Sequence, residues 1–381
     1  MRRLSCFILV FALLLCLPVT AKASPAEVPA KSACLMDIQT GKVLYEQNAD
    51  EPLAPASVTK VMTMLLVMEA LADGRIKRTD MVTASEAAAA KGGSQIYLKV
   101  GEQLCVEEML KSVAVSSAND CACALAEHLA GSEAAFVDRM NKRAGELGMA
   151  NTHFVNCTGL DDSEEAKQHR TTARDIAIMS RELMKNHPDI QKYTTIWMDT
   201  VRNGAFGLSN TNKLIRFYPG ATGLKTGFTS GAGYCLSATA EKEGLGLIAV
   251  VMGAETSKDR FNACKSLLDY GFASFALVNP TPEDVLTVPV KLGTTASVSA
   301  VPGETSQLLV DKGQLSAVRV KTELEEQVTA PVSQGQRLGT MTVYSGEQVL
   351  QQIPLVAENP VPRLSFWQIF RMLLKQVLGA K

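Results

Sequence analysis

The sequence predicts an α+β domain, then a small all-β domain, then a C-terminal amphipathic helix. Strand-like runs stand at both ends of the first part of the chain with helical segments between them, which suggests terminal strands sharing one sheet. After Asn279-Pro280-Thr281-Pro282 the composition shifts to short runs rich in Val, Thr, Ser and Gly. The last segment repeats its apolar residues at helical spacing.

The N-terminus is read as a leader and not as part of the fold. Arg2 and Arg3 precede an apolar run from Phe7 to Leu17, then Pro18 and the small-residue pattern Ala21-Lys22-Ala23. Charge, short apolar core and A-x-A make a secretory signal cut after Ala23. The run is short for a stable membrane span. Cys16 raises a lipoprotein reading, but Leu15 is bulky where that signal needs a small residue. The mature chain is therefore expected outside the cytoplasmic membrane. The expected division is 1–23 as signal peptide, 24–278 as the α+β domain, 279–358 as the β-rich domain and 359–381 as the terminal helix.

In the α+β part, Ala33 to Met36 and Lys42 to Tyr45 read as strands, joined by the turn Gln39-Thr40-Gly41. A helix starts near Ser57 and runs to about Asp73, with Gly74 as its stop. Its middle is apolar on nearly every face, so it belongs in the centre of a domain. Helical stretches follow at Val106 to Ala114, Asn119 to Ala130, Glu133 to Leu147 and Arg174 to Lys185. Strands are expected at Leu224 to Thr226, Tyr234 to Thr239 and Leu247 to Val251, then a helix from Asp259 to about Tyr270. In the β domain, Val285 to Val288, Ala317 to Val320 and Thr340 to Tyr344 are strand-like; that domain carries neither His nor Cys, and no chemistry is read there. In the tail, Phe366, Trp367, Phe370, Leu373, Leu374, Val377 and Leu378 fall on one helical face, with Arg363, Arg371 and Lys381 adding positive charge. This pattern favours a helix lying in a membrane surface over one packed on the β domain.

The chain of 381 residues is long enough for two or three domains, and 46% hydrophobic with 20% charged residues reads as globular. Lys plus Arg is 38 and Asp plus Glu is 39, so no overall positive field exists to hold a nucleic acid. After loss of the leader, Cys34, Cys105, Cys121, Cys123, Cys157, Cys235 and Cys264 remain, an odd number without a C-x-x-C pair. They read as small core side chains in preference to metal ligands or a disulfide framework.

Three short motifs carry the chemistry. In Pro55-Ala56-Ser57-Val58-Thr59-Lys60, Ser57 and Lys60 are three apart at a helix start and share one face. A serine hydroxyl needs a base to become a nucleophile, and a lysine serves once burial and nearby positive charge lower its pKa. Alone, S-x-x-K equally describes an N-cap serine with a surface lysine. Ser117-Ala118-Asn119 alone describes a helix cap, and Lys225-Thr226-Gly227 a strand running into a glycine turn. Together, in this order, they correspond to the S-x-x-K, S-D-N and K-T-G set of penicillin-interacting serine enzymes.

On these motifs the chain resembles the low-molecular-weight D-Ala-D-Ala carboxypeptidases, a family of penicillin-binding proteins. Asp37 to Leu44, Met140-Asn141, Leu147-Gly148-Met149, Thr152-His153-Phe154 and Gly159-Leu160 add to the likeness, which runs from about Ala33 to Phe275. The resemblance implies a serine β-lactamase/transpeptidase-like fold and removal of the terminal D-alanine from peptidoglycan stem peptides without a metal or other cofactor, with β-lactam antibiotics as inhibitors. It implies that Ser57 is the nucleophile, Lys60 its base and Ser117 a proton relay helped by Lys225. It implies that Asn119 holds the peptide backbone, that Lys225 and Thr226 bind the terminal carboxylate, and that the amides of Ser57 and Phe228, beside Gly227, form the oxyanion hole. Arg260 is expected either to assist with the carboxylate or to make a structural ion pair. Ala118 departs from the Gly or Asp often found in the second motif, with little expected effect.

Other readings use the same residues. A class A β-lactamase also needs a glutamate that activates the deacylating water; Glu164 and Glu165 lie in a charged loop without an E-x-x-L-N pattern. A transpeptidase or endopeptidase would differ in acceptor or scissile bond. A non-catalytic peptidoglycan-binding module is disfavoured by the intact Ser57, Lys60, Ser117 and Lys225 set.

Overall fold

The computed structural model describes residues 28–282, 284–303 and 307–377; the signal segment with its cut after Ala23, and Leu378 to Lys381, lie outside the described residues. Strand β1 (Ser32–Asp37) pairs antiparallel with β2 (Val43–Gln47). The connecting turn is held by the Asp37 carboxylate, which accepts the Thr40 amide at 2.6 Å. The long helices that follow are α1 (Lys60–Ala72), α2 (Val106–Ser116), α3 (Asn119–Ala130), α4 (Glu133–Glu146) and α5 (Ala173–Asn186), with single-turn helices at Glu86–Ala89, Gln191–Thr194 and Leu214–Phe217. The chain then forms the meander β3 (Ala221–Thr229), β4 (Gly233–Lys242) and β5 (Leu245–Ala254), and closes with α6 (Ser257–Ser274). The sheet order is β2-β1-β5-β4-β3, so the first and last strands of the domain are neighbours, as the terminal runs predict.

Both faces of this sheet are covered, and the alternation of strand side chains divides the core in two. Cys34 and Met36 of β1 face the helices with Ile248, Val250 and Met252 of β5. Ala33 and Leu35 face α6, against Leu247, Ala249, Val251, Phe261, Leu267 and Leu268. Helix α1 runs through the larger half with Val61, Met62, Met64, Leu65 and Val67 all buried, which is why its sequence is apolar all round. Losing one such side chain to alanine costs about 2–5 kcal/mol.

Several boundaries move. The α-helix begins at Lys60, because Ala56–Thr59 form a separate 3-10 turn that carries Ser57. Helix α6 continues past Tyr270 to Ser274; Gly271 does not stop it but lets it lie on the sheet, since a Cβ there would come 2.5 Å from Leu247 Cδ1. Two short ribbons, Met81–Thr83 with Gln103–Cys105 and Met198–Val201 with Phe206–Ser209, are too brief to stand out as sequence patterns.

The second domain is a sheet of β6 (Thr287–Lys291), β7 (Ser297–Pro302), β8 (Val318–Leu324), β9 (Val328–Thr329), β10 (Arg337–Ser345) and β11 (Gln348–Ala357), in the order β8-β10-β11-β7-β6-β9. Its first strand starts at Thr287, leaving Val285 exposed ahead of it. Its own core gathers Val288, Val298, Leu338, Met341, Val343, Ile353 and Leu355. Phe275–Val278, directly after α6, pairs antiparallel with Leu308–Asp311 and ties the two domains together. Helix α7 (Phe366–Val377) ends the description with Phe366 at 73% and Trp367 at 69% exposure, and Phe370, Leu373 and Leu374 exposed as well. Its apolar face is thus not packed on the β domain. No helix among the described residues is long and apolar enough to cross a membrane.

Candidate active site

The site begins at the turn before α1. Ala56 adopts φ +49, and Val58 donates its amide to the Pro55 carbonyl, so the turn projects Ser57 toward the last strand of the sheet. Lys60, one helical turn on, is completely buried. Its Nζ donates to Ser57 Oγ at 2.9 Å and to the Thr158 carbonyl at 2.8 Å. Burial is the main cause that lowers its pKa to about 7.

A loop backs this pair. Asn156 Oδ1 accepts the amides of Thr158 and Gly159 at 3.2 and 2.6 Å, which points the Thr158 carbonyl at Lys60. Gly159 has φ +81, and a Cβ there would lie 1.8 Å from the Ala56 carbonyl oxygen, so only glycine lets the loop touch the Ser57 turn. Thr59 Oγ1 donates to the Ala56 carbonyl at 2.8 Å and lies 2.9 Å from His169 Nε2. The other ring nitrogen of His169 accepts the Val155 amide at 3.2 Å. Accepting at Nδ1 leaves the proton on Nε2, so the neutral ring donates to Thr59. Burial holds the His169 pKa down to about 3, consistent with that neutral form.

Strand β3 closes the other side. Lys225 is buried with its Nζ donating to the Thr226 carbonyl at 2.8 Å. Burial first, then the charges of Lys60 and Arg260, push its pKa well below the usual lysine value. Lys60 and Lys225 are both buried and feel each other's charge, and no carboxylate is bonded to either among the described residues. Gly227 lies against the nucleophile's turn: a Cβ there would come 2.7 Å from the Pro55 oxygen and 3.0 Å from the Ser57 amide. Phe228 is half-exposed at the rim, its ring 4.3 Å from that of Tyr234. Arg260 of α6 donates to the Gly227 carbonyl at 2.8 Å and to that of Cys235 at 3.3 Å. Its guanidinium lies over the Tyr234 ring; of the two expected roles, the structural ion pair is not formed among the described residues, and the bonds it makes go to the backbone of β3 and β4.

Ser117 sits between α2 and α3 at φ 63, ψ 28, a left-handed residue that turns the chain sharply. Strand β3 is linked to this corner: Thr226 Oγ1 donates to Thr211 Oγ1 at 2.7 Å, and the Thr211 amide to the Val115 carbonyl at 3.1 Å. Asn119 opens α3, with Nδ2 donating to the Gly92 carbonyl at 2.7 Å while its buried Oδ1 has no partner among the described residues. The following Asp120 accepts the amides of Ile96, Leu98 and Cys121, fastening the loop near Gly92 to the helix start. Ala118 is fully buried.

The structure thus gathers Ser57, Lys60 and Gly227 directly, buries Lys225 on β3 within the field of Lys60, connects Thr226 to the Ser117 corner, and bonds Arg260 to the Gly227 carbonyl. Asn156, Thr158, His169, Asp120 and Thr211 escape sequence reasoning. The Asn156-Cys157-Thr158-Gly159 turn composition was their one local signal; the others act through contacts between distant segments.

A family model described as D-alanyl-D-alanine carboxypeptidase, peptidase S11, matches residues 19–256, and one described as the penicillin-binding protein 5 C-terminal domain matches residues 280–363. The D-alanyl-D-alanine carboxypeptidase DacF of Bacillus subtilis is 44% identical over 343 residues, 88% of this chain and 87% of its own. The crystal structure of penicillin binding protein 5 from Haemophilus influenzae superposes with a TM-score of 0.76 at 32% identity, over 90% of this chain and all (100%) of the other. The ampicillin-bound form of penicillin-binding protein D2 from Listeria monocytogenes, at 33% identity and a TM-score of 0.60, covers 65% of this chain and 100% of that one. The chain belongs to the peptidase S11 family of serine-type D-alanyl-D-alanine carboxypeptidases, joined to a C-terminal β domain of the penicillin-binding protein 5 type.

Proposed function

We propose that this carboxypeptidase trims the terminal D-alanine from peptidoglycan stem pentapeptides through an acyl-enzyme on Ser57, at the outer face of the cytoplasmic membrane or in the wall. The observation that carries the reading is the Lys60 amine, 2.9 Å from Ser57 Oγ, buried and with its pKa near the working range of a base. Neutral Lys60 takes the hydroxyl proton as Ser57 Oγ attacks the carbonyl between the two D-alanines. The amides of Ser57 and Phe228 hold the oxyanion, and the close approach allowed by Gly227 supports that pairing. Ser117 passes a proton to the leaving amine as the C–N bond breaks and D-alanine departs. Water then hydrolyses the ester and restores Ser57.

Lys225, buried on β3 and bonded to no carboxylate among the described residues, suits the substrate's terminal carboxylate, with Thr226 beside it. Asn119, with a free buried acceptor, is assigned to the peptide backbone. Arg260 positions β3 through the Gly227 carbonyl. A penicillin would acylate Ser57 by the same route; the ampicillin-bound Listeria relative supports this. The exposed apolar face of α7, with Arg363 and Arg371, supports a helix lying in a lipid surface.

Incubation with labelled penicillin and, separately, with a peptide ending in D-Ala-D-Ala, followed by mass spectrometry, tests this. A penicilloyl adduct on Ser57 and release of one D-alanine are expected. An adduct without D-alanine release would point to an endopeptidase or transpeptidase, and neither product would reduce the chain to a binding module.

A further inference from the structure

The seven cysteines of the described residues are all free. All but Cys105 are buried in the core, and two of them, Cys123 and Cys157, also share a carboxylate. Cys123 lies on α3; Cys157 precedes Thr158 in the loop behind Lys60. The Cys157 thiol donates to Glu133 Oε1 at 3.1 Å, and the Cys123 thiol to Glu133 Oε2 at 3.9 Å. Glu133 is the first residue of α4, and its carboxylate also accepts the Cys157 amide at 3.2 Å. One donor atom from each of the three residues lies within 4.8 Å of the other two, in a setting where both cysteines are buried. Lys91 reaches the same carboxylate from the solvent side, Nζ to Oε2 at 2.6 Å.

We propose that Cys123, Cys157 and Glu133 bind a thiophilic divalent cation of the zinc class. With metal–sulfur bonds near 2.3 Å and metal–oxygen bonds near 2.0 Å, a tetrahedral ion sets its donors about 3.5–3.8 Å apart. The two thiols lie 3.1 and 3.9 Å from the two oxygens of one carboxylate, and one donor atom from each residue falls within 4.8 Å of the others, so the three side chains would draw in toward a common ion. Both thiols release their protons to solvent, and a water fills the fourth position. Two thiolates and one carboxylate leave the dication with an excess negative charge, which the Lys91 ammonium balances. The ion would tie α3 and α4 to the loop whose Thr158 carbonyl accepts from Lys60, a structural tie outside the catalytic pocket.

The test uses the mature chain, reduced and freed of metal by chelation, titrated with Co²⁺ and then Zn²⁺. Expected are saturation at one equivalent, thiolate-to-cobalt absorption with tetrahedral ligand-field bands, displacement by Zn²⁺ and a rise in Tm with Zn²⁺. Cys123→Ser and Glu133→Gln, each first shown to be folded by forming the penicilloyl adduct, should weaken Co²⁺ by about ten-fold or more. Ser57→Ala should keep the cobalt spectrum unchanged. Absence of thiolate absorption, binding that survives Cys123→Ser undiminished, or a Cys123–Cys157 disulfide that takes up no metal would each overturn the proposal.

Discussion

Lys60 shows how a single residue acquires a chemical role from its surroundings. Its amine is buried against Ser57 Oγ and the Thr158 carbonyl, so the cost of a desolvated charge is what lowers its pKa from 10.5 to about 7. Acylation by penicillin should therefore rise with pH through about 7, following the neutral amine, and stopped-flow rates across that range would check it. Lys60→Ala should slow acylation by about 10²–10⁴-fold, and Lys60→Arg should not rescue it, because a guanidinium stays protonated. A full rate in either variant would remove Lys60 as the base. His169 carries the opposite lesson, a titratable group kept neutral to hold a turn. Its pKa in the fold is about 3 against 6.5 for a free ring, so the unfolded chain binds more protons between those values. Its contribution to stability should be lost as pH falls from about 6.5 toward 3. His169→Ala should cost about 1–3 kcal/mol, through the Thr59 and Val155 partners it leaves; denaturant melts at neutral and acidic pH would show both the loss and a flatter acid response.

At the scale of elements, the site depends on three segments approaching more closely than side chains permit. The Ser57 turn meets the Gly159 loop on one side and Gly227 of β3 on the other. At Gly227 the obstructing atoms are backbone, so Gly227→Ala must push the strand from the turn, slow acylation and destabilise by about 1–3 kcal/mol. Gly159→Ala meets both a left-handed backbone and the Ala56 carbonyl, and should be the more damaging of the two in thermal melts. Equal effects at the two positions would mean that the loop yields where the strand does not. Both glycines stand in short motifs that a reader of the sequence notices. What each must avoid, an atom on a segment far along the chain, is not written locally.

For the whole molecule, the catalytic domain and the β domain have separate cores, joined by the pairing of Phe275–Val278 with Leu308–Asp311. The tail helix then leaves the β domain with its apolar face uncovered. Deleting residues 363–381 should abolish partition onto anionic vesicles and leave penicillin acylation in solution unchanged. Partition that persists would place the membrane contact elsewhere in the chain.

The sequence by itself determined the order of elements and the division into an α+β part, a β part and an amphipathic tail, because apolar periodicity and turn residues are local properties. It also determined the three motifs, since reactive residue types at fixed spacing on helix starts and strands are readable in one dimension. Only the tertiary structure decided that Ser57 rides a 3-10 turn ahead of the helix, that Lys60 and Lys225 are both buried and feel each other's charge, and that Arg260 braces the strand. It also decided that Asn156, Thr158 and His169 hold the base and its turn in place. The physical reason is that burial, pKa and backbone clearance depend on what packs against a residue, and those partners stand outside its local stretch of sequence, 33 positions away between Arg260 and Gly227, 98 between Lys60 and Thr158 and 110 between Thr59 and His169.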